Sequence, residues 1–286
     1  MANVKDPTTY DQQLEILKSR GVEVNDEVFC KEKLMEINYY RITAYLLPFK
    51  NSDDTYKEGT SFHTAYRIYE FDRKLRRILF SAIEEVEISL RTRLAYYHAH
   101  KYGALGYWNA ECFSNKHDSK KFEDNIKREI KNNKKNLIVQ HHEEVYDGNF
   151  PIWVIVEFFT FGMLSIFYND MIRKDKKKLA KELYDTIPEK LDSWLRCVTD
   201  LRNICAHYGR LYYRIFPSMP RGFDIEEFQK RRLWGAVLSL KSLYPNRDKW
   251  NHEVLENLKS LFEEYRGYID LYHLAFPEDW EYQLKK

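Results

Sequence analysis

The feature that most constrains the fold is a run from about residue 62 to residue 100 in which apolar side chains recur three and four positions apart. This spacing matches the 3.6-residue period of an α-helix and predicts one long amphipathic helix. Glu87 and Arg91 lie on its polar side, in the favourable order for an i,i+4 ion pair. The chain of 286 residues has only 10 Gly and 8 Pro, too few for a turn-rich β-protein or a glycine-loop nucleotide binder. We therefore expect an all-α protein.

The composition indicates a folded chain that can bury a large core. Hydrophobic residues make up 44%, aromatic residues 16%, and the net charge is only +2, which excludes the low-hydrophobicity, high-charge pattern of disorder. The longest apolar stretch, 153–168, is shorter than a membrane span and contains Glu157. The first twenty residues lack the pattern of a signal peptide, so we expect a cytoplasmic protein with no membrane segment. The four cysteines show no zinc-finger or disulfide spacing, and neither metal nor cofactor is indicated.

Further helices follow from periodicity and from helix-breaking residues. Pro48 should end the second helix, Asn149 should cap the apolar one with Pro151 in its first turn, and Gly209 should follow the helix that begins at Pro188. The predicted ranges are about 10–20, 26–48, 62–100, 153–168, 188–208, 225–243 and 250–274.

One cluster of residues on the helix beginning at Pro188 has the chemistry needed to act on a phosphate. Asn203 and His207 are four positions apart and lie about 40° apart on the helix surface, whereas Arg202 is about 140° from His207. The long Arg202 side chain can still reach the same cleft. Arginine binds phosphoryl oxygens in bidentate fashion, and histidine can move a proton near neutral pH.

The spacing Arg-x4-His does not identify this site by itself. Arg93 with His98 and Arg247 with His252 have the same spacing. Only the match at 202–207 has Asn directly after the arginine and small residues, Cys205 and Ala206, beside it. From spacing alone, a structural histidine at a helix end is as good an interpretation as a catalytic one.

The segment Arg202-Asn203-Ile204-Cys205-Ala206-His207 resembles the R-N-x-x-A-H signature of the HEPN superfamily, as found in the Abi-like (AbiD/AbiF) abortive-infection proteins of bacteria. Three other segments, in the expected order, are similar to further motifs of that family: Asn38-Tyr39-Tyr40-Arg41 through Tyr45 and Pro48-Phe49, Tyr69 through Phe71-Asp72-Arg73 to Arg76, and Pro151 through Trp153, Glu157 and Phe161-Gly162 to Ser165. The similarity covers about residues 30–215.

This resemblance implies a metal-independent endoribonuclease built on a helical bundle, in which two copies of the motif meet across a homodimer. His207 would move a proton, Arg202 would stabilise charge on phosphorus, and Asn203 would orient the histidine. The products would carry 2′,3′-cyclic phosphate and 5′-hydroxyl ends. The family further implies a phage-defence toxin, in some members held silent by a small non-coding antitoxin RNA. A non-catalytic RNA-binding or complex-forming module is the alternative.

Several further side chains are candidates for RNA contact. Basic residues neutralise phosphates and tyrosines stack on bases, although a charge run is also typical of an ordinary solvated surface. Glu87 and Arg91 could support the site or form a purely structural pair. The RNA-binding candidates are Arg41, Lys176, Lys177, Lys178, Tyr208, Arg210 and Arg214.

The sequence also suggests a division of the chain. We expect an N-terminal helical extension over 1–60, a HEPN-like helical bundle over 61–215, and a C-terminal helical segment over 216–286 packed on the bundle. No family motif maps onto this last segment.

Overall fold

The computed structural model describes residues 6–285; residues 1–5 and 286, the ends of the predicted extension and C-terminal segment, lie outside this part. The described residues form an all-α fold in which β-structure is limited to isolated bridges. The α-helices are α1 (Tyr10–Ser19), α2 (Glu27–Glu36), α3 (Tyr39–Thr43), α4 (Phe62–Tyr102), α5 (Ser119–Asn132), α6 (Leu137–Val145), α7 (Ile152–Ile155), α8 (Phe161–Asp170), α9 (Arg173–Tyr184), α10 (Pro188–Ala206), α11 (Glu227–Lys230), α12 (Leu233–Leu243), α13 (Arg247–Lys249), α14 (Glu256–Glu264) and α15 (Trp280–Lys285). Shorter helical turns are the 3₁₀ segments Ala44–Phe49, Gly106–Trp108, Ala110–Cys112, Val156–Phe158 and Leu271–Leu274, and the π-helical segment Trp250–Leu255.

The long helix α4 confirms the prediction for 62–100. Its start is capped by the Ser61 hydroxyl, which accepts a hydrogen bond from the Thr64 N–H, and it ends at Gly103 with φ of 82°. The apolar residues that predicted it are mostly buried along one side. Four ionisable residues of α4 are buried as well. Asp72, Arg76 and Glu87 contribute to the site described below, and His98 is the fourth.

The prediction of one helix over 26–48 is wrong. Helix α2 ends at Glu36, and Ile37 is extended, with φ of −127° and ψ of 121°. The Asn38 side chain accepts a hydrogen bond from the Tyr40 N–H and thereby begins the separate helix α3. An asparagine that caps the following turn competes with continuation of the helix. Pro48 lies within the subsequent 3₁₀ segment and does not end an α-helix.

The predictions of single helices over 153–168, 225–243 and 250–274 are also wrong, because each predicted helix is longer than the one that forms. The apolar run divides at Phe159, because the Thr160 hydroxyl caps a new helix by accepting from the Met163 N–H. Pro151 precedes α7 instead of lying in its first turn. The run 225–243 divides between α11 and α12, and α14 already ends at Glu264.

Helix α10 lies at the centre of the packing, against α4, α8 and α12. Pro188 occupies its first turn, where a missing N–H costs no hydrogen bond, as predicted. One large apolar core joins α4 to the helices after it, including the C-terminal ones. A smaller core joins α1 to α3 with the beginning of α4, at Phe62 and Ala65. The division of the chain at 60 and 215 stays a prediction.

Candidate active site

The predicted catalytic motif lies at the C-terminal end of α10. Asn203 and His207 are exposed, and Arg202 is partly buried, with 28% of its side chain accessible. The His207 N–H donates to the Asn203 carbonyl at 3.0 Å, so His207 closes the last turn of the helix. The side chains of Asn203 and His207 have no hydrogen-bond partner within residues 6–285. Both side chains are therefore available to bind a substrate.

A tight turn directly after His207 reverses the chain. Gly209 N–H donates to the Ile204 carbonyl at 2.7 Å and Tyr208 N–H donates to the Cys205 carbonyl at 3.2 Å, the two hydrogen bonds of a Schellman motif. The left-handed position of this motif usually holds glycine, but here it is Tyr208, with φ of 56°. The prediction that Gly209 takes this position is wrong by one residue. A tyrosine in this conformation costs about 1 kcal/mol, which the surrounding contacts must offset.

Arg202 is held in place by Glu87 of α4. Its Nε lies 3.7 Å from the Glu87 carboxylate and has no hydrogen-bond partner among the described residues. Glu87 is buried and also accepts from the Arg91 guanidinium at 2.5 Å, while Arg91 donates to the Phe159 carbonyl at 2.9 Å. The predicted Glu87–Arg91 pair is confirmed, and it reaches the motif. One carboxylate therefore serves two arginines, which leaves Arg202 able to bind a further anion.

Asp72 of α4 holds the chain immediately after the turn. Its fully buried carboxylate accepts from the Leu211 N–H at 3.1 Å and the Tyr212 N–H at 2.8 Å. It also accepts from the Tyr45 hydroxyl and pairs with Arg76, which donates to the Gly209 carbonyl at 3.1 Å.

The electrostatics of this buried group follow from its partners. Burial raises the pKa of the Asp72 carboxyl, and the Arg76 guanidinium and the hydrogen-bond donors oppose that shift. Burial likewise opposes the charge of Arg76, but Asp72 and Tyr45 outweigh it and raise the pKa of the guanidinium. Cys205, inside the motif, has its pKa raised by burial to about 12, so it is a thiol at neutral pH and not a nucleophile.

Two of the predicted RNA-binding arginines join the N-terminal helices to the turn. Arg41 donates to the Tyr208 carbonyl at 2.7 Å, and Arg210 donates to the Ala44 carbonyl. Burial lowers the pKa of Arg210. Arg214 is partly buried, and its Nε has no hydrogen-bond partner in the described chain. Tyr208 remains 70% exposed and can reach a ligand beside His207.

The three predicted lysines of α9 differ in accessibility. Lys176 donates to the Asp192 carboxylate at 2.7 Å, and only 11% of its side chain is accessible. Lys177 is exposed. Lys178 is exposed and lies 4.0 Å from Glu182. Of these three lysines, Lys177 and Lys178 are therefore the ones accessible to a phosphate.

The structure separates the three Arg-x4-His matches. His98 is fully buried and stacks on Phe113, so it cannot meet a substrate. His252 is exposed in the π-helical segment, and Arg247, in the preceding α13, donates to the Lys285 carbonyl. The match at 202–207 combines an exposed histidine with an arginine that already lies beside a buried carboxylate.

Comparison with known proteins bears on the same residues. The family model described as "Abi-like protein" matches residues 32–213, well over half of the chain. The chain belongs to the Abi-like family. No curated protein and no solved structure matches it.

The span of the Abi-like match coincides with the network around the turn. It contains Arg41, Tyr45, Asp72 and Arg76, which all contact the turn or one another, and it ends one residue after Tyr212. These residues lie in the family motifs found in the sequence, but the motifs do not predict that they contact the turn after His207. The i,i+4 order of Asp72 and Arg76 was an available signal for an ion pair, whereas their binding to the turn required the tertiary structure.

Two features are absent from the described part of this Abi-like chain: a group of three metal-binding side chains and a membrane-spanning helix. Among residues 6–285, no three His, Cys, Asp or Glu side chains are grouped so that they could hold a metal ion. None of the described helices combines the length and the apolar character needed to span a membrane.

Proposed function

We propose that this protein is a metal-independent endoribonuclease of the HEPN type that acts as an abortive-infection effector. Membership of the Abi-like family suggests a role in abortive infection. The ribonuclease activity is supported by one observation: at the end of α10, the exposed Asn203 and His207 side chains have no hydrogen-bond partner among residues 6–285, and they lie beside an Arg202 that Glu87 holds at 3.7 Å.

These side chains suit transesterification of an RNA phosphodiester. The ribose 2′-oxygen attacks phosphorus and loses its proton to a base, while the bond from phosphorus to the 5′-oxygen breaks and that oxygen takes up a proton. His207 performs one of the two proton transfers, Arg202 stabilises the charge on the phosphoryl oxygens, and Asn203 orients the histidine or the substrate. The products carry 2′,3′-cyclic phosphate and 5′-hydroxyl ends. Because the nucleophile is the 2′-hydroxyl, DNA is not a substrate.

A homodimer would complete this site. One histidine cannot easily serve as base and acid in the same step, and His207 of the second copy supplies the missing partner. The exposed position of His207 on the protein surface is compatible with such a shared site. We further propose that a small non-coding RNA bound to the protein holds the activity silent until infection.

The experiment is incubation of the purified protein with labelled single-stranded RNA in EDTA, beside His207→Ala and the matched control His252→Ala. We expect wild type and His252→Ala to cut and to leave cyclic phosphate ends, while His207→Ala does not cut. RNA with a 2′-deoxyribose at the cleavage position should resist all three proteins. If all three bind RNA without cutting it, even after bound RNA has been removed in high salt, the protein is a binding module.

A further inference from the structure

A second basic site lies closer to the N-terminal end of α10 than the motif does. It is a cavity of about 670 Å³ between the N-terminal half of α10, the loop at 217–222 and helix α11. Three cationic side chains line it: Arg196, Arg221 and Lys230. The one acidic residue among the cavity's lining residues is Glu227.

The three cations are not neutralised within the described chain. None of them forms an ion pair with a carboxylate there, and Arg196 donates only to the Asp192 main-chain carbonyl of its own helix, at 3.3 Å. Glu227 is paired with Arg231 at 3.2 Å. Three uncompensated positive charges around one cavity repel each other, and an anion bound between them removes that repulsion.

The main chain that carries these cations is fixed on α10. The Arg221 N–H donates to the Ser193 hydroxyl at 2.9 Å, and the Arg221 carbonyl accepts from the Trp194 indole at 2.9 Å. On the other side, the Lys230 N–H donates to the Glu226 carbonyl at 3.0 Å, and the Lys230 main chain lies so close to Gly235 that a Cβ there would stand only 2.7 Å from the Lys230 carbonyl oxygen. A larger residue at 235 would push Lys230 away. The main chain that carries Arg221 and Lys230 is therefore anchored on both sides of the cavity.

The cavity and the motif lie along one face of α10. Arg196 precedes His207 by eleven residues, which places the two side chains within about 20° of each other around the helix and about 16 Å apart along it. Asn203 lies on the same face between them. A few nucleotides of single-stranded RNA can cover this distance.

The geometry points to a phosphate-binding subsite for the RNA substrate, in which Arg196, Arg221 and Lys230 hold the backbone a few nucleotides from the bond that is cut. This inference rests on the proposed function for the choice of RNA as the ligand. The three cations bind the sugar-phosphate backbone, so the site adds affinity for longer RNA with little sequence preference.

A second cavity, between α4 and α9, is a weaker candidate for this role. It is also lined by basic residues, among them Lys101 and Lys178. However, Lys101 is paired with the buried Asp175, and Lys178 lies beside Glu182. Two of its four lining cations are therefore compensated, whereas none of the three cations of the α10 cavity has a carboxylate partner among residues 6–285.

The test compares two triple variants that lose the same charge. In Arg196→Gln/Arg221→Gln/Lys230→Gln the subsite is removed, whereas Lys131→Gln/Lys134→Gln/Lys135→Gln removes three exposed lysines near the end of α5. Binding of a labelled single-stranded 12-mer is measured at several salt concentrations, with all proteins in the His207→Ala background. Each cation that contacts a phosphate contributes about 0.7 to the slope of log affinity against log salt. We expect the subsite variant to have a slope smaller by about 2 and the control to keep the parent slope.

Cleavage then places the subsite on the substrate path. With His207 present, the subsite variant should cut the 12-mer at least tenfold more slowly in kcat/KM, yet cut a dinucleotide at the wild-type rate, since a dinucleotide does not reach the cavity. Equal salt slopes in the two triple variants would overturn the inference. Reduced binding with unchanged cleavage of the 12-mer would also overturn it, because the cavity would then hold an RNA other than the substrate. If wild type cuts nothing, the proposed activity fails, while the binding comparison still decides whether the cavity holds RNA.

Discussion

Two regions of this protein contain the same sequence spacing in different environments. On α4, Arg93 is followed by His98, which is fully buried against Phe113 and Phe167. At the end of α10, Arg202 is followed by His207, which is exposed. Burial lowers the pKa of His98 to about 4, so that histidine is neutral in the folded protein near pH 7. The difference shows that burial, which the spacing does not specify, decides whether the histidine of this pair is accessible to a ligand.

The largest expected effect distinguishes these two histidines by activity. His207→Ala should reduce RNA cleavage by about 10²–10⁴-fold, because the variant lacks the group that transfers a proton in the proposed reaction. His98→Leu should leave kcat/KM of the folded protein within about twofold of wild type, since His98 meets no substrate. The measurement is initial rates on one RNA, with circular dichroism to verify folding. Loss of cleavage in both variants would contradict a special role for the end of α10.

The next effect distinguishes them by stability. The pKa of His98 is about 4 in the folded protein and near 6.5 in the unfolded chain. The free energy of unfolding is therefore unaffected by protonation of His98 above pH 6.5. It declines as the pH falls towards 4, because only the unfolded chain readily takes up the proton on this histidine. At pH 4 the His98 share of this loss is about 3 kcal/mol. Urea unfolding of wild type and His98→Leu from pH 7.5 to 4 measures it, and parallel curves for the two proteins would refute the burial effect.

A smaller effect tests how Arg202 is positioned. Glu87→Gln removes the carboxylate that faces Arg202 and Arg91, and we expect kcat/KM for RNA to fall by about tenfold, the order found when a supporting residue around a site is lost. Glu85→Gln is the matched control, because Glu85 lies on the same helix and pairs with Lys249. Rescue by Glu87→Asp, with an unchanged KM in each variant, would identify positioning of the catalytic group. Equal losses for Glu85 and Glu87 would exclude a specific role.

The smallest effect concerns the turn after His207. Tyr208 has φ of 56°, a conformation that glycine adopts without steric cost, so Tyr208→Gly should increase the free energy of unfolding by up to about 1 kcal/mol. Asp185→Gly is the control, since Asp185 has φ of 45° at the end of α9. Denaturant midpoints compare the two. RNA affinity should fall only in Tyr208→Gly; unchanged affinity would remove Tyr208 from the predicted RNA contacts.

Much of the fold follows from local sequence patterns. The period of apolar residues predicted α4, and Pro188 predicted the start of α10. Two of the helices that were predicted too long failed where a short polar side chain begins a new turn, at Asn38 and Thr160. Such a residue is compatible with either a helix interior or a cap, and the choice depends on packing of the segments on both sides.

The candidate site was predictable only in part. Arg202, Asn203 and His207 came from a motif, but the network that fixes their turn involves residues more than a hundred positions away, such as Arg41 and Asp72. The cavity formed by Arg196, Arg221 and Lys230 gave no sequence signal, because its three cations come from separate segments.

The sequence by itself determined the all-α class, the Abi-like family and the identity of the motif, because helical period and motif spacing depend on residues close together in the chain. The tertiary structure decided which of three equally spaced Arg–His pairs is buried and which has its arginine beside a buried carboxylate, which carboxylate holds Arg202, and where cations without a carboxylate partner among the described residues meet. Burial and ion pairing depend on contacts between distant segments, and those contacts exist only once the helices have packed.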